Sequence, residues 1–184
     1  MLKRFLSRAK PSPVPQELYG RVVAQARQPL FFAAMGVPDT VPGRFDMVCL
    51  HIFLLTRRLA ADADPLARPL SQDLFDVFTR ELDASLRELG VGDTSVSKRM
   101  KRMLASYYAL ITELDPPLAG SNWGELGSRA AARFAAHNPL AKAFFAHYIR
   151  HAASALSALP LHDLARGRLD WPALEPSLPQ GKNE

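Results

Sequence analysis

LSQDLFDVFTRELDASLRELGVGDTSVSKRMKRMLASYYALITEL, residues 70–114, decides the fold class. In its first half Leu70, Leu74, Phe78, Leu82, Leu86 and Leu89 recur every three or four residues, the spacing that keeps one face of an α-helix apolar. Gly90 then suits a C-terminal cap, and Asp93 or Thr94 an N-terminal cap for the next helix. That second helix, over about 95–114, carries Val96, Met100, Met103, Leu104, Tyr107, Tyr108, Ile111 and Leu114 in the same rhythm. Residues 70–93 hold six acids and two bases, net −4, whereas 94–104 hold four bases and no acid, net +4. A tight hairpin between the two would set those charges side by side.

The same period extends outward. Residues 16–27 place Leu18, Val22 and Ala26 on one face, and Pro29 stops that helix. Residues 44–60 are apolar on most sides, which predicts a central helix. Pro116 and Pro117 read as a break. Helices are expected again over 123–136 and, after Asn138 as cap and Pro139 as first residue, over 139–159. No segment alternates with period two. The chain therefore reads as all-α, a single compact helical domain of about six to seven helices over 16–172. It is preceded by a flexible basic arm and Pro-rich spacer (1–15) and followed by a flexible tail (173–184).

Composition narrows the function classes. The formal net charge of the 184 residues is +5, and Lys3, Arg4, Arg8 and Lys10 supply four of those charges. The nearly neutral body argues against a DNA-coating surface. Cys49 is the one cysteine, so neither an intrachain disulfide nor a Cys-based zinc site can form, and a reducing compartment is implied. No apolar run is long enough for a membrane span, and the N-terminus lacks a signal-peptide core. The expected location is the bacterial cytoplasm, peripheral at the inner membrane.

Nothing reads as catalytic. His147 and His151 have metal-site spacing but no third ligand, so no metal and no cofactor is expected. His51 lies in the most apolar helix, where a hydrogen-bonded core histidine is expected, and Cys49 reads as a small buried hydrophobe. Lys98, Arg99, Lys101 and Arg102 fit either a phosphate, RNA or partner contact, or neutralisation by the preceding acidic helix. The arm residues Lys3, Arg4, Phe5 and Arg8 fit either an anionic membrane surface or a disordered terminus. The segment 29–46 is anomalous because it is rich in Gly and Pro yet holds Phe31, Phe32, Met35 and Val37. Either it is pinned into the core or it faces a partner, with Arg27, Asp39, Arg44 and Asp46 bracketing it.

Three strings carry a resemblance: ELYGRVVAQAR (17–27), QARQPLFFAAMGVPDTVPGRFDMVCLH (25–51) and LSQDLFDVFTRELDASLRELGVGDTSVSKRMKRM (70–103). Together they resemble the ubiquinol–cytochrome c chaperone family, bacterial branch, from residue 17 to about 110. The family pattern falls on Gln25, Ala26, Arg27, Pro29, Gly36, Val37, Pro38, Asp39, Gly43, Arg44, Phe45, Asp46 and His51, then on Gln72, Phe75, Asp76, Asp83, Leu86, Arg87, Gly90, Gly92, Asp93, Val96, Lys98 and Met100. The resemblance implies a non-enzymatic, cofactor-free assembly factor for respiratory complex III. Its client would be cytochrome b, apo or early haem-loaded, with a small partner protein and the ribosome as further contacts. On that reading Arg27, Phe31, Phe32, Met35, Val37, Asp39, Arg44, Phe45 and Asp46 form the client-binding surface, and Lys98, Arg99 and Arg102 a partner-binding one. The competing expectations are a ribosome- or RNA-contacting helical protein and a small helical enzyme.

Overall fold

The computed structural model describes residues 12–174. Seven helices and a final single turn follow one another among these residues, with no strand. They are α1 (Val14–Ala26), α2 (Pro29–Ala33), α3 (Val41–Ala60), α4 (Ala67–Glu88), α5 (Asp93–Ala119), α6 (Trp123–Phe134), α7 (Ala141–Ala158) and the turn α8 (Leu161–Leu164). The arm residues Lys3, Arg4, Phe5 and Arg8, and most of the expected tail, lie outside the described residues.

Helix α3 is the axis of the fold, packed against α1, α4, α5 and α7. Every residue from 49 to 55 is buried, which is what a helix apolar on all sides requires. Thr40 caps it, its hydroxyl oxygen accepting from the Gly43 N–H at 3.3 Å. The hairpin of α4 and α5 forms as its spacing predicts, with Gly90 at a φ of +74° that favours glycine. Helices α6 and α7 approach closely at Gly127, where an added Cβ would sit 2.4 Å from the Lys142 carbonyl oxygen.

Four local expectations are corrected. Pro15 is buried inside the first turn of α1, so the extended spacer ends earlier; a proline is tolerated there because that turn's N–H groups have no intrahelical partner. Part of 29–46 is helical, as α2 and the first turn of α3. Helix α5 runs through Pro116 and Pro117 to Ala119. Pro117 cannot donate to the Glu113 carbonyl, and Arg129 Nη1 takes that place at 3.1 Å, so the final turn keeps a partner from outside the helix. Asn138 turns the chain one step before α7, accepting from the Leu140 N–H at 2.9 Å, so Pro139 precedes the helix.

Candidate functional site

The segment expected as one client surface divides in three. Phe31, Met35 and Val37 are buried, which corrects their placement on an accessible groove. The Phe31 ring meets His51, Phe144 and Tyr148 edge-on, at centroid distances of 5.7, 6.0 and 5.2 Å, and stacks on Phe145 at 6.4 Å. A Phe so enclosed gains about 1.5–3 kcal/mol from burial, plus its aromatic contacts, and has no face left for a partner. Arg27, Phe32, Asp39 and Arg44 border a shallow hollow beside α2. There Arg44 Nε donates to Asp39 at 2.6 Å, which holds the Asp39 carboxyl below its usual range. Phe45 and Asp46 leave this group and face α5.

Behind Phe31 runs a buried polar chain. Gln25 Nε2 donates to the Tyr148 hydroxyl at 3.2 Å, that hydroxyl meets His51 Nε2 at 2.5 Å, and His51 Nδ1 meets the Met47 carbonyl oxygen at 2.6 Å. A carbonyl only accepts, so Nδ1 carries the proton and Nε2 receives the one from Tyr148. Burial lowers the His51 pKa to about 4, against the smaller opposing effect of the Met47 bond, so the ring is neutral at pH 7. Trp171 closes this box edge-on at 4.9 Å. His51 is thus a satisfied core histidine. The Cys49 thiol is buried and pushed up by desolvation, which leaves it inert. The rings of His147 and His151 lie 5.8 Å apart, and the described residues hold no cluster of three metal-ligating side chains.

Two further hollows lie on α3, α4 and α5. One hollow of about 500 Å3 sits between the end of α3, the start of α4 and the middle of α5, lined by Thr56, Gln72, Phe75, Tyr108 and Ile111 among others. Tyr108 is 55% exposed there, and Leu66, the residue before α4 and outside the lining, is 63% exposed. Most polar groups of this hollow are already engaged. The Thr56 hydroxyl donates to the Ile52 carbonyl at 2.8 Å, Asp62 accepts from Arg58 at 2.8 Å, and Gln72 donates to Asp76 at 2.8 Å. A second hollow, of about 520 Å3, lies at the other end of the same three helices, lined by Val41, Phe45, Leu86, Leu89, Arg99 and Arg102 among others. An aromatic row joins the two: Phe45 stacks on Phe78 at 6.4 Å, and Phe78 and Phe75 each contact Tyr107 at 5.7 Å. Desolvation pushes the Tyr107 hydroxyl up to about 12, as befits a floor residue.

The two residue sets expected to act separately therefore meet in the second hollow, with Phe45 and Asp46 beside Arg99 and Arg102. The expected neutralisation of the α5 cations by α4 does not occur. Among the described residues no carboxylate lies within 4 Å of Lys98, Arg99, Lys101 or Arg102. Three of the four point away from the apolar stripe of Val96, Met100, Met103 and Tyr107, and Arg87 instead pairs with Asp83 and Asp93. Asp46 is likewise taken, accepting from Arg133 Nη2 at 3.2 Å, while Arg133 also reaches Glu113 at 3.1 Å and so ties α3 to α5 through α6.

Periodicity did not single out Leu66 or the half-buried Phe75, and it grouped Tyr108 with the apolar face, whereas Tyr108 is exposed. One signal was present: adjacent Tyr107 and Tyr108 on a helix cannot both face inward, so one must meet the surface.

Residues 33–171 match the sequence profile of the family described as ubiquinol-cytochrome C chaperone. A search of curated proteins gives no match. Among solved structures the fold is similar to the crystal structure of the Cbp3 homolog from Brucella abortus. The two share 30% identity over 88% of this chain and 90% of that one, with a TM-score of 0.78. The profile spans most of the chain, from α2 to Trp171 over the His51 box, and fold and sequence agree: this chain belongs to the ubiquinol–cytochrome c chaperone family.

Proposed function

We propose that the chain is a non-enzymatic assembly chaperone that binds newly made cytochrome b, with the hollow around Tyr108 as its client face. Family membership and the likeness to the Cbp3 homolog support the chaperone role. The observation that carries the site is the exposure of Tyr108 in a hollow where Thr56, Asp62 and Gln72 already bond within the fold. Such a surface offers apolar contact, with Arg68, Ser71 and Tyr108 as its remaining polar groups, which suits an apolar segment awaiting its final partners.

The charge of the segment that forms one wall of the hollow favours the same client. Residues 62–76 contain Asp62, Asp64, Asp73 and Asp76 against Arg68, a net of −3, with Asp62 and Arg68 in the lining itself and the other acids outside it. Membrane-spanning helices carry excess Lys and Arg on their cytoplasmic flanks, so an acidic segment beside the hollow attracts the end of the client that the chaperone meets first. Contact limited to a shallow, open hollow keeps the complex releasable once better-packed partners arrive.

The test is made in cells lacking the gene, measuring steady-state cytochrome b and assembled ubiquinol–cytochrome c reductase beside cytochrome oxidase. Selective loss of cytochrome b, restored by the wild-type gene but not by Tyr108→Asp, is the expected result. Normal cytochrome b in the deletion strain refutes the client. Full rescue by a Tyr108→Asp, Leu66→Asp double variant refutes the site.

A further inference from the structure

The cationic end of α5 has no role in the client face described above. Lys98, Arg99, Lys101 and Arg102 are exposed, within five residues of one another, and unpaired among the described residues. Carboxylates close by in sequence or in the hollow are mostly committed: Asp46 to Arg133, and Asp83 and Asp93 to Arg87, leaving Glu88 on the end of α4. Arg99 and Arg102 rim the hollow in which Val41 and Leu89 are 56% and 60% exposed. Arg99 and Arg102 thus share a face with the protruding aliphatic side chains, and Lys98 and Lys101 extend the positive charge around α5.

We propose that this face docks on an anionic phospholipid bilayer, with the four cations at the headgroups and Val41 and Leu89 entering the acyl boundary. Each Lys or Arg near an anionic surface is attracted to it, and buried aliphatic area adds to that attraction. RNA is the poorer match, because single strands reward exposed aromatic platforms and the exposed large side chains here are aliphatic. The docking is independent of the chaperone reading and holds whatever the client is.

The test is co-sedimentation of the full chain with vesicles of phosphatidylcholine alone or with about one-third phosphatidylglycerol. Binding is expected only with phosphatidylglycerol and should fall steeply as salt rises. Replacing Lys98, Arg99, Lys101 and Arg102 together by Gln should weaken it about tenfold or more. Arg99→Lys with Arg102→Lys should retain it, and Leu89→Ser should weaken it about threefold. Thermal unfolding by circular dichroism checks each variant; if the quadruple variant does not fold, Leu89→Ser and the single Arg102→Gln decide. Four results overturn the proposal: no binding to phosphatidylglycerol vesicles, undiminished binding by the folded variants, binding only to soluble short-chain phosphatidylglycerol, or salt-dependent capture of RNA in place of vesicles. Loss of all binding on replacing Lys3, Arg4, Arg8 and Lys10, with the α5 quartet intact, also overturns it.

Discussion

At one end of the α3–α4–α5 layer Tyr108 and Leu66 stand exposed beside a segment with four acids and one base. At the other, Val41 and Leu89 stand near the segment 94–104, which holds four bases and no acid. The two hollows are similar in volume and are joined by an aromatic row, Phe45–Phe78–Tyr107, so each offers an apolar floor. What separates them is the rim. An apolar floor binds without much selectivity, whereas rim charge decides which amphiphile is steered in and which is repelled. The difference teaches that one helical layer can address two chemically opposite surfaces, provided that its charges are segregated lengthwise and not paired across the helices.

The comparison is broken most severely through the shared floor. Phe78→Ala removes the ring on which Phe45 and Tyr107 both lean and should cost about 3–5 kcal/mol in denaturant unfolding. Phe31→Ala should cost a similar amount from the distant aromatic box, where a client-contact role would leave stability unchanged. Equal loss in both, with client capture by Phe31→Ala scaling only with its folded fraction, confirms that Phe31 is core.

Acid should act next, through the box and not the hollows. The folded pKa of His51, about 4, lies below its ordinary 6.5, so the unfolded chain binds the proton first as pH falls. The stabilisation is complete above pH 6.5 and is lost as pH drops toward 4, amounting to about 3 kcal/mol. Denaturant titrations across that window should show it, and His51→Gln should flatten the slope even though it lowers stability throughout.

Smaller effects separate the rims. Tyr108→Asp should reduce capture of cytochrome b segments about tenfold while phosphatidylglycerol binding is unchanged, read by crosslinking and co-sedimentation in parallel. A loss of both would show that the hollows act as one surface. The smallest effect concerns folding: replacing the α5 quartet by Gln should move Tm by no more than about two degrees, because exposed charges without partners contribute little.

Residues 70–114 show why the helices were legible. Their apolar spacing is a local property, and Gly90 fixes the turn whatever surrounds it. The buried character of 44–60 was equally plain, since a helix apolar on every side has nowhere else to go. Pro116 and Pro117 were misread because the group that rescues their turn, Arg129, belongs to another helix. The charge pattern was correct residue by residue, yet helix rotation turned the α5 cations outward and let Arg87 take the acids.

The family strings, the all-α class and the uneven charge along the chain follow from the sequence by itself, because periodicity, caps and composition are short-range. Whether Phe31 faced a client or the core was decided only by tertiary structure. Its partners Phe144, Phe145 and Tyr148 lie more than a hundred residues away, and burial depends on which distant side chains the fold brings to that point. The same holds for the two hollows, which exist only where α3, α4 and α5 meet.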